Sequence, residues 1–212
     1  MARLLTHGMG NPPPGSLDEG GGGGGGGGDG RGSSRRASFT ALYVLLAATT
    51  MIFAALTTTF AARRAWSNDW APTPKPPILW VNTAVLLASS ASLALAQRAL
   101  RYSRRTAFNA YWTAGTVLGL AFLGGQALAW GQLNRLGFYV ATNPSSSFFY
   151  VLTATHALHL LGAATALVYV DVQALRLRLG PGKRTAAEIS AAFWHFLDGL
   201  WLYLMVLLYV WG

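Results

Sequence analysis

The sequence predicts an all-α, polytopic membrane protein with five transmembrane helices and a cytoplasmic N-terminus. Three observations carry that prediction. Charge is scarce: 11% of the 212 residues are charged and 52% are hydrophobic, whereas a soluble domain carries roughly 25% charged residues. The apolar residues are gathered into five long runs with no alternating pattern, which means helices rather than barrel strands. The basic residues lie in short segments between those runs, on unequal sides.

Residues 1–38 stand apart. They hold Asn11-Pro12-Pro13-Pro14, nine glycines from Gly20 to Gly28, and the polar stretch Asp29 to Arg36. Such a segment cannot bury enough apolar surface to offset its ordering entropy, so a disordered, Gly-rich cytoplasmic tail is expected. A phosphate-binding glycine loop is excluded by context, because no strand precedes the run and no Gly-Lys-Ser/Thr follows it. No apolar stretch begins before Phe39, so no secretory signal peptide is expected.

The transmembrane domain is expected over 39–212. Its apolar runs cover about 40–62, 78–97, 108–133, 147–170 and 190–211. Each is near or above the ~20 residues that cross a ~30 Å hydrocarbon layer. Pro72, Pro74, Pro76 and Pro77 forbid a helix in the first connection. Asn143-Pro144-Ser145 and Gly180-Pro181-Gly182 punctuate two later ones. Trp66, Trp70, Trp80, Trp112, Trp130 and Trp211 stand near run ends, where headgroups would lie. No internal repeat is present, which removes the architecture of repeat-built transporters.

Orientation follows from Lys and Arg. The tail, the 98–107 loop and the 171–189 loop hold twelve, and the opposite side holds Arg63, Arg64, Lys75 and Arg135. Twelve against four places the N-terminus inside and the C-terminus outside. The net charge of +9 therefore reflects membrane topology rather than nucleic-acid binding. The chain has no Cys, which excludes disulfides and thiolate metal sites.

Polar residues inside the spans are few. His156 and His159 are three apart in the fourth run and share a face, with Tyr150 and Thr155 near it. His195 and Asp198 are three apart in the fifth, beside Trp194. Asp198 is read as the one acid well inside a span, at a cost of about 2.5–3.5 kcal/mol on insertion scales. Counting residues inward at 1.5 Å each places His159 and Asp198 at matching depth, so Asp198 is expected to meet His159 or His156 between the last two helices. These residues admit a structural clamp, a proton relay or a lipid-headgroup contact. Haem ligation would need His156 with His195, because two His at i, i+3 cannot bind opposite faces of one haem. A zinc site from His156, His159, His195 and Asp198 has enough ligands but no indicated water access. Asn82, Thr83, Ser89, Ser90 and Ser92 in the second run, and Gly115, Gly119, Gly124, Gly125 and Gln126 in the third, read as ordinary helix packing. No catalytic residue and no metal ligand is assigned, and an accessory subunit is favoured.

Four segments, in order, resemble subunit III of the haem–copper cytochrome c oxidases. Ala191-Ala-Phe-Trp-His-Phe-Leu-Asp-Gly-Leu-Trp-Leu is similar to that family's Trp-His-Phe-Val-Asp closing helix. Phe149-Tyr-Val-Leu-Thr-Ala-Thr-His-Ala-Leu-His resembles the helix before it. Asn82-Thr-Ala-Val-Leu-Leu-Ala-Ser-Ser and Leu118-Gly-Leu-Ala-Phe-Leu-Gly-Gly-Gln126 resemble two earlier runs. Five helices match the shorter bacterial form of the family. The resemblance implies a subunit without haem or copper of its own, in a bacterial inner membrane, beside a catalytic subunit I that holds them. Subunit II, a cytochrome c domain and bound phospholipid are the further implied partners. It implies a complex that passes electrons from cytochrome c or quinol to oxygen and translocates protons, with this chain supporting proton uptake and lasting turnover. The related small subunit of a nitric oxide reductase and a standalone small transporter are the alternatives. His156, His159, His195, Asp198 and Trp194 would be the family's intramembrane polar residues. Two departures stand out: Thr50 occupies the place of a Glu common in the family, and Ala129 and Trp130 lie where carboxylates often follow the Gln.

Overall fold

The computed structural model describes residues 29–66, 77–137, 144–176 and 181–211. These form five α-helices: α1 (Asp29–Trp66), α2 (Ile78–Arg101), α3 (Arg105–Arg135), α4 (Pro144–Leu175) and α5 (Pro181–Trp211). All five contain a stretch long and apolar enough to cross a membrane, and no strand occurs among the described residues. The nine-glycine run, Pro72, Pro74 and Pro76, Asn143 and Gly180 lie outside the described residues.

The helices overrun the apolar runs that predicted them. α1 begins at Asp29, so the stretch up to Ser38 is helical rather than part of a tail. α4 continues to Leu175 and α5 starts at Pro181, which draws Asp171, Arg184 and Glu188 out of the expected loop. Hydropathy marks only the stretch facing hydrocarbon, whereas helical hydrogen bonding continues into the polar boundary. Pro144 and Pro181 open their helices instead of sitting in loops. A first-turn proline loses no intrahelical bond and arrives with a helical φ.

α2 and α3 are an antiparallel hairpin closed by Tyr102, Ser103 and Arg104. The Ser103 N–H donates to Leu100 O at 3.2 Å and the Arg104 N–H to Ala99 O at 2.9 Å. Ser103 takes a left-handed φ of 57° to make that closure. Along the pair, α2 side chains donate to α3 carbonyls: Asn82 to Phe122 O at 3.1 Å, Ser89 to Gly115 O at 2.7 Å and Ser92 to Tyr111 O at 2.8 Å. Such bonds need backbones in close approach, and the glycines permit it. A Cβ on Gly115 would meet Leu93 at 2.8 Å, and one on Gly125 would overlap the Asn82 amide.

α4 joins this pair through Trp112 Nε1 to Leu167 O at 3.1 Å and Trp130 Nε1 to Thr153 Oγ1 at 3.1 Å. α5 packs against α4 and α2, and α1 lies outermost, touching α4 and α5. Arg35 pairs with Glu188 at 3.2 Å, and Tyr203 OH donates to Thr57 Oγ1 at 3.1 Å. At one end of the bundle Arg104, Arg105 and Arg184 line a common recess, so the loops assigned to one side do converge there.

Candidate intramembrane site

Trp201 organises the middle of the bundle. It is fully buried on α5, and its Nε1 donates to Thr83 Oγ1 on α2 at 2.9 Å. Its ring meets Phe122 of α3 edge-on at 5.1 Å and stacks on His156 of α4 at 5.2 Å. One side chain thus links four helices. His156 is wholly buried between Trp201 and Phe53 of α1, and neither ring nitrogen has a hydrogen-bond partner among the described residues. Burying such groups unpartnered costs about 1–3 kcal/mol each, which ordinary packing does not require.

His159, one turn further on, also touches Phe53, at 5.7 Å. Its Nδ1–H donates to the Thr155 carbonyl at 2.8 Å, which fixes the tautomer. Its imidazole borders a lateral cavity of about 760 Å³ between α1, α4 and α5. Leu42, Leu45, Gly162, Ile189 and Phe193 contribute to an otherwise mostly apolar wall, together with Ser38, Tyr169, Thr185 and Ser190.

The remaining polar residues of α5 turn the other way. His195 is half-buried and its Nδ1 is hydrogen-bonded to Ser90 Oγ on α2. Asp198 is buried, and both carboxylate oxygens lack a hydrogen bond among the described residues. Ser90 lies close enough to Asp198 to interact with it as well. Ser90 is hydrogen-bonded to the imidazole, while Asp198 makes no hydrogen bond among the described residues. Trp194 is fully buried against Gly119 of α3, where a Cβ would come within 2.5 Å of its ring.

The sequence placed Asp198 in contact with His159 or His156, and that direct hydrogen bond is not made. The depth argument is right to within a turn, since His156 stacks on Trp201, three residues beyond Asp198. What depth could not give is azimuth: Trp201 occupies the α4-facing position, and the Ser90–His195 bond lies on the α2 side. Among the described residues no three His, Asp or Glu converge into a metal-binding group. Of the two rings considered for haem, His156 stacks on Trp201 and His195 bonds Ser90 through Nδ1.

Sequence reasoning missed two participants, Asp171 and Trp201, and read a third, Gln126, as ordinary helix packing. Asp171, read as a loop residue, accepts a bond from Thr113 Oγ1 at 2.7 Å and ties α4 to α3. Trp201 lies mid-span, away from the headgroup level where Trp is common, and that position was the available signal. Gln126 is buried with both amide atoms unpartnered among the described residues. Thr50, in the place of the family's Glu, is exposed on α1 and donates to Leu46 O at 2.8 Å.

The fold and the site define a class: a polytopic helical membrane protein whose central polar side chains brace its helices beside an apolar lateral cavity. The chain belongs to the cytochrome c oxidase subunit III family, whose model matches residues 38–212. It is 28% identical over 153 residues to a probable cytochrome c oxidase subunit 3 of Nocardia farcinica, covering 71% of this chain and 75% of that one. It is 28% identical over 150 residues to cytochrome c oxidase subunit 3 of Gallus gallus and 30% identical over 148 residues to that of Mus musculus. Each of these two matches covers 68% of this chain, and it spans just over half, 56%, of either vertebrate protein.

Proposed function

We propose that this chain is the non-catalytic subunit III of a respiratory haem–copper terminal oxidase in a bacterial inner membrane, with its N-terminus in the cytoplasm. In this reading the haem and copper reside in the partner catalytic subunit I. This chain stabilises subunit I and supports proton uptake during the transfer of electrons from cytochrome c or quinol to oxygen. Family membership over residues 38–212 is the observation that carries the reading. The lateral cavity supports a second part of it: an apolar space of about 760 Å³ open between α1, α4 and α5 suits the acyl chains of a bound phospholipid. The buried Asp198 and His156 support the third part, because unpartnered polar groups at mid-span are costly to retain for packing alone.

The test is Asp198→Asn in the intact complex. Slower proton uptake or weaker assembly, with unchanged haem spectra, is expected. Loss of the haem signal with assembly intact would assign ligation to this chain and overturn the reading. Gas uptake by the same preparation separates oxygen from nitric oxide as substrate. Transport activity by this chain reconstituted alone would establish a small transporter instead.

A further inference from the structure

His195 poses a problem that the bundle does not solve. It is the sixth residue of the apolar run 190–211, which places it roughly 8 Å inside the apolar layer at 1.5 Å per residue. Its Nδ1 is bonded to Ser90, but its Nε2 makes no hydrogen bond among the described residues, and the ring is only half-buried. Whichever way the shared proton lies, Nε2 retains hydrogen-bonding capacity, and hydrocarbon offers it no partner. The lipid-facing threonines of α1 behave differently. Thr50, Thr58 and Thr59 each donate to the carbonyl four residues earlier, at 2.8 Å, and leave no donor for lipid.

The surface beside His195 has a second property. Ala192 and Gly199 lie within about a turn of it on the same side of α5, and both are exposed. A Cβ on Gly199 would meet nothing within 4 Å. Small residues on a membrane helix let another backbone come close enough for interhelical hydrogen bonds and dense packing, an advantage that fluid acyl chains do not need.

We infer that the outer face of α5 around Ala192, His195 and Gly199 receives a membrane-spanning helix of another subunit, which supplies the hydrogen-bonding group for His195 Nε2. The inference rests on the proposed function, which makes this chain part of a complex. The occupant is a helix rather than lipid because the open nitrogen needs a fixed partner and the flanking small residues admit a backbone.

The absence of Cys allows a direct test. Gly199→Cys in the intact complex, labelled with a benzophenone maleimide and irradiated in the membrane, should give an adduct with a different polypeptide. Leu161→Cys on the exposed face of α4 serves as the comparison and should not label that same helix. In parallel, His195→Leu should lower the fraction of this chain retained in the purified complex several-fold. His195→Gln, which keeps a hydrogen-bonding side chain, should retain most of it. Adducts only with lipid or with a second copy of this chain, in a complex that still carries its large subunit, would overturn the inference and leave the proposed function standing. Equal retention of the Leu and Gln variants would also overturn it. Recovery of this chain from membranes with no companion would overturn the proposed function, and this inference with it.

Discussion

The α2–α3 pair and α1 solve the same problem in opposite ways. Both must hold polar side chains in a membrane. α2 exports its hydrogen bonds, from Asn82, Ser89 and Ser92 to carbonyls of α3, and the glycines of α3 bring the backbones together. α1 keeps the bonds of its mid-helix threonine donors at home, with Thr49, Thr50, Thr58 and Thr59 all returning to their own helix, and reaches α5 through Arg35, Thr57 and Arg64. Only 17% of its apolar window is buried, against 56% for α5, so little fixes α1 laterally. The lesson is that polar content does not measure helix association; the direction of the donors does. The cavity lies on the loosely held side, between α1 and the rest.

Four substitutions test this contrast, from the largest effect to the smallest. Gly125→Leu drives a side chain into Asn82 and should cost about 3 kcal/mol through overpacking, read as loss of folded yield in a detergent unfolding titration. Asn82→Ala removes one interhelical bond and should cost about 0.6–2 kcal/mol in the same titration. Ser103→Gly relieves the left-handed turn and should stabilise by up to about 1 kcal/mol, seen as a raised thermal midpoint. Thr58→Val on α1 should change stability by no more than about 0.5 kcal/mol. A Thr58→Val effect as large as that of Asn82→Ala would erase the distinction between the two regions. A separate prediction concerns the cavity. Gly162→Phe adds a ring where a Cβ meets nothing within 4 Å, and it should reduce the phospholipid that co-purifies without lowering stability.

The five spans were legible because lipid demands a run of ~20 apolar residues for each crossing. The helix ends were not, because Asp29–Ser38 and Asp171–Leu175 are polar enough to read as loop, yet their backbones continue the helices. His156, His159, Trp194, His195 and Asp198 were found through residue type and mid-span position. Their partners were not, because i, i+3 spacing fixes a shared face but not which neighbour the face meets. The Ser90–His195 bond and the Trp201–His156 stack depend on helix azimuth, which only packing decides. Gly115 and Gly119 were read as ordinary helix packing, and the structure places Leu93 and Trp194 against them.

The central claim is that this chain braces a redox complex without carrying its redox centres. Affinity purification from native membranes in mild detergent, followed by visible spectroscopy and metal analysis of the complex and of this chain after dissociation, tests it directly. The account predicts that haem and copper travel with a large companion polypeptide and that the dissociated chain is colourless. Iron or copper remaining on the isolated chain, or a chain that comes out of the membrane unaccompanied, would contradict it.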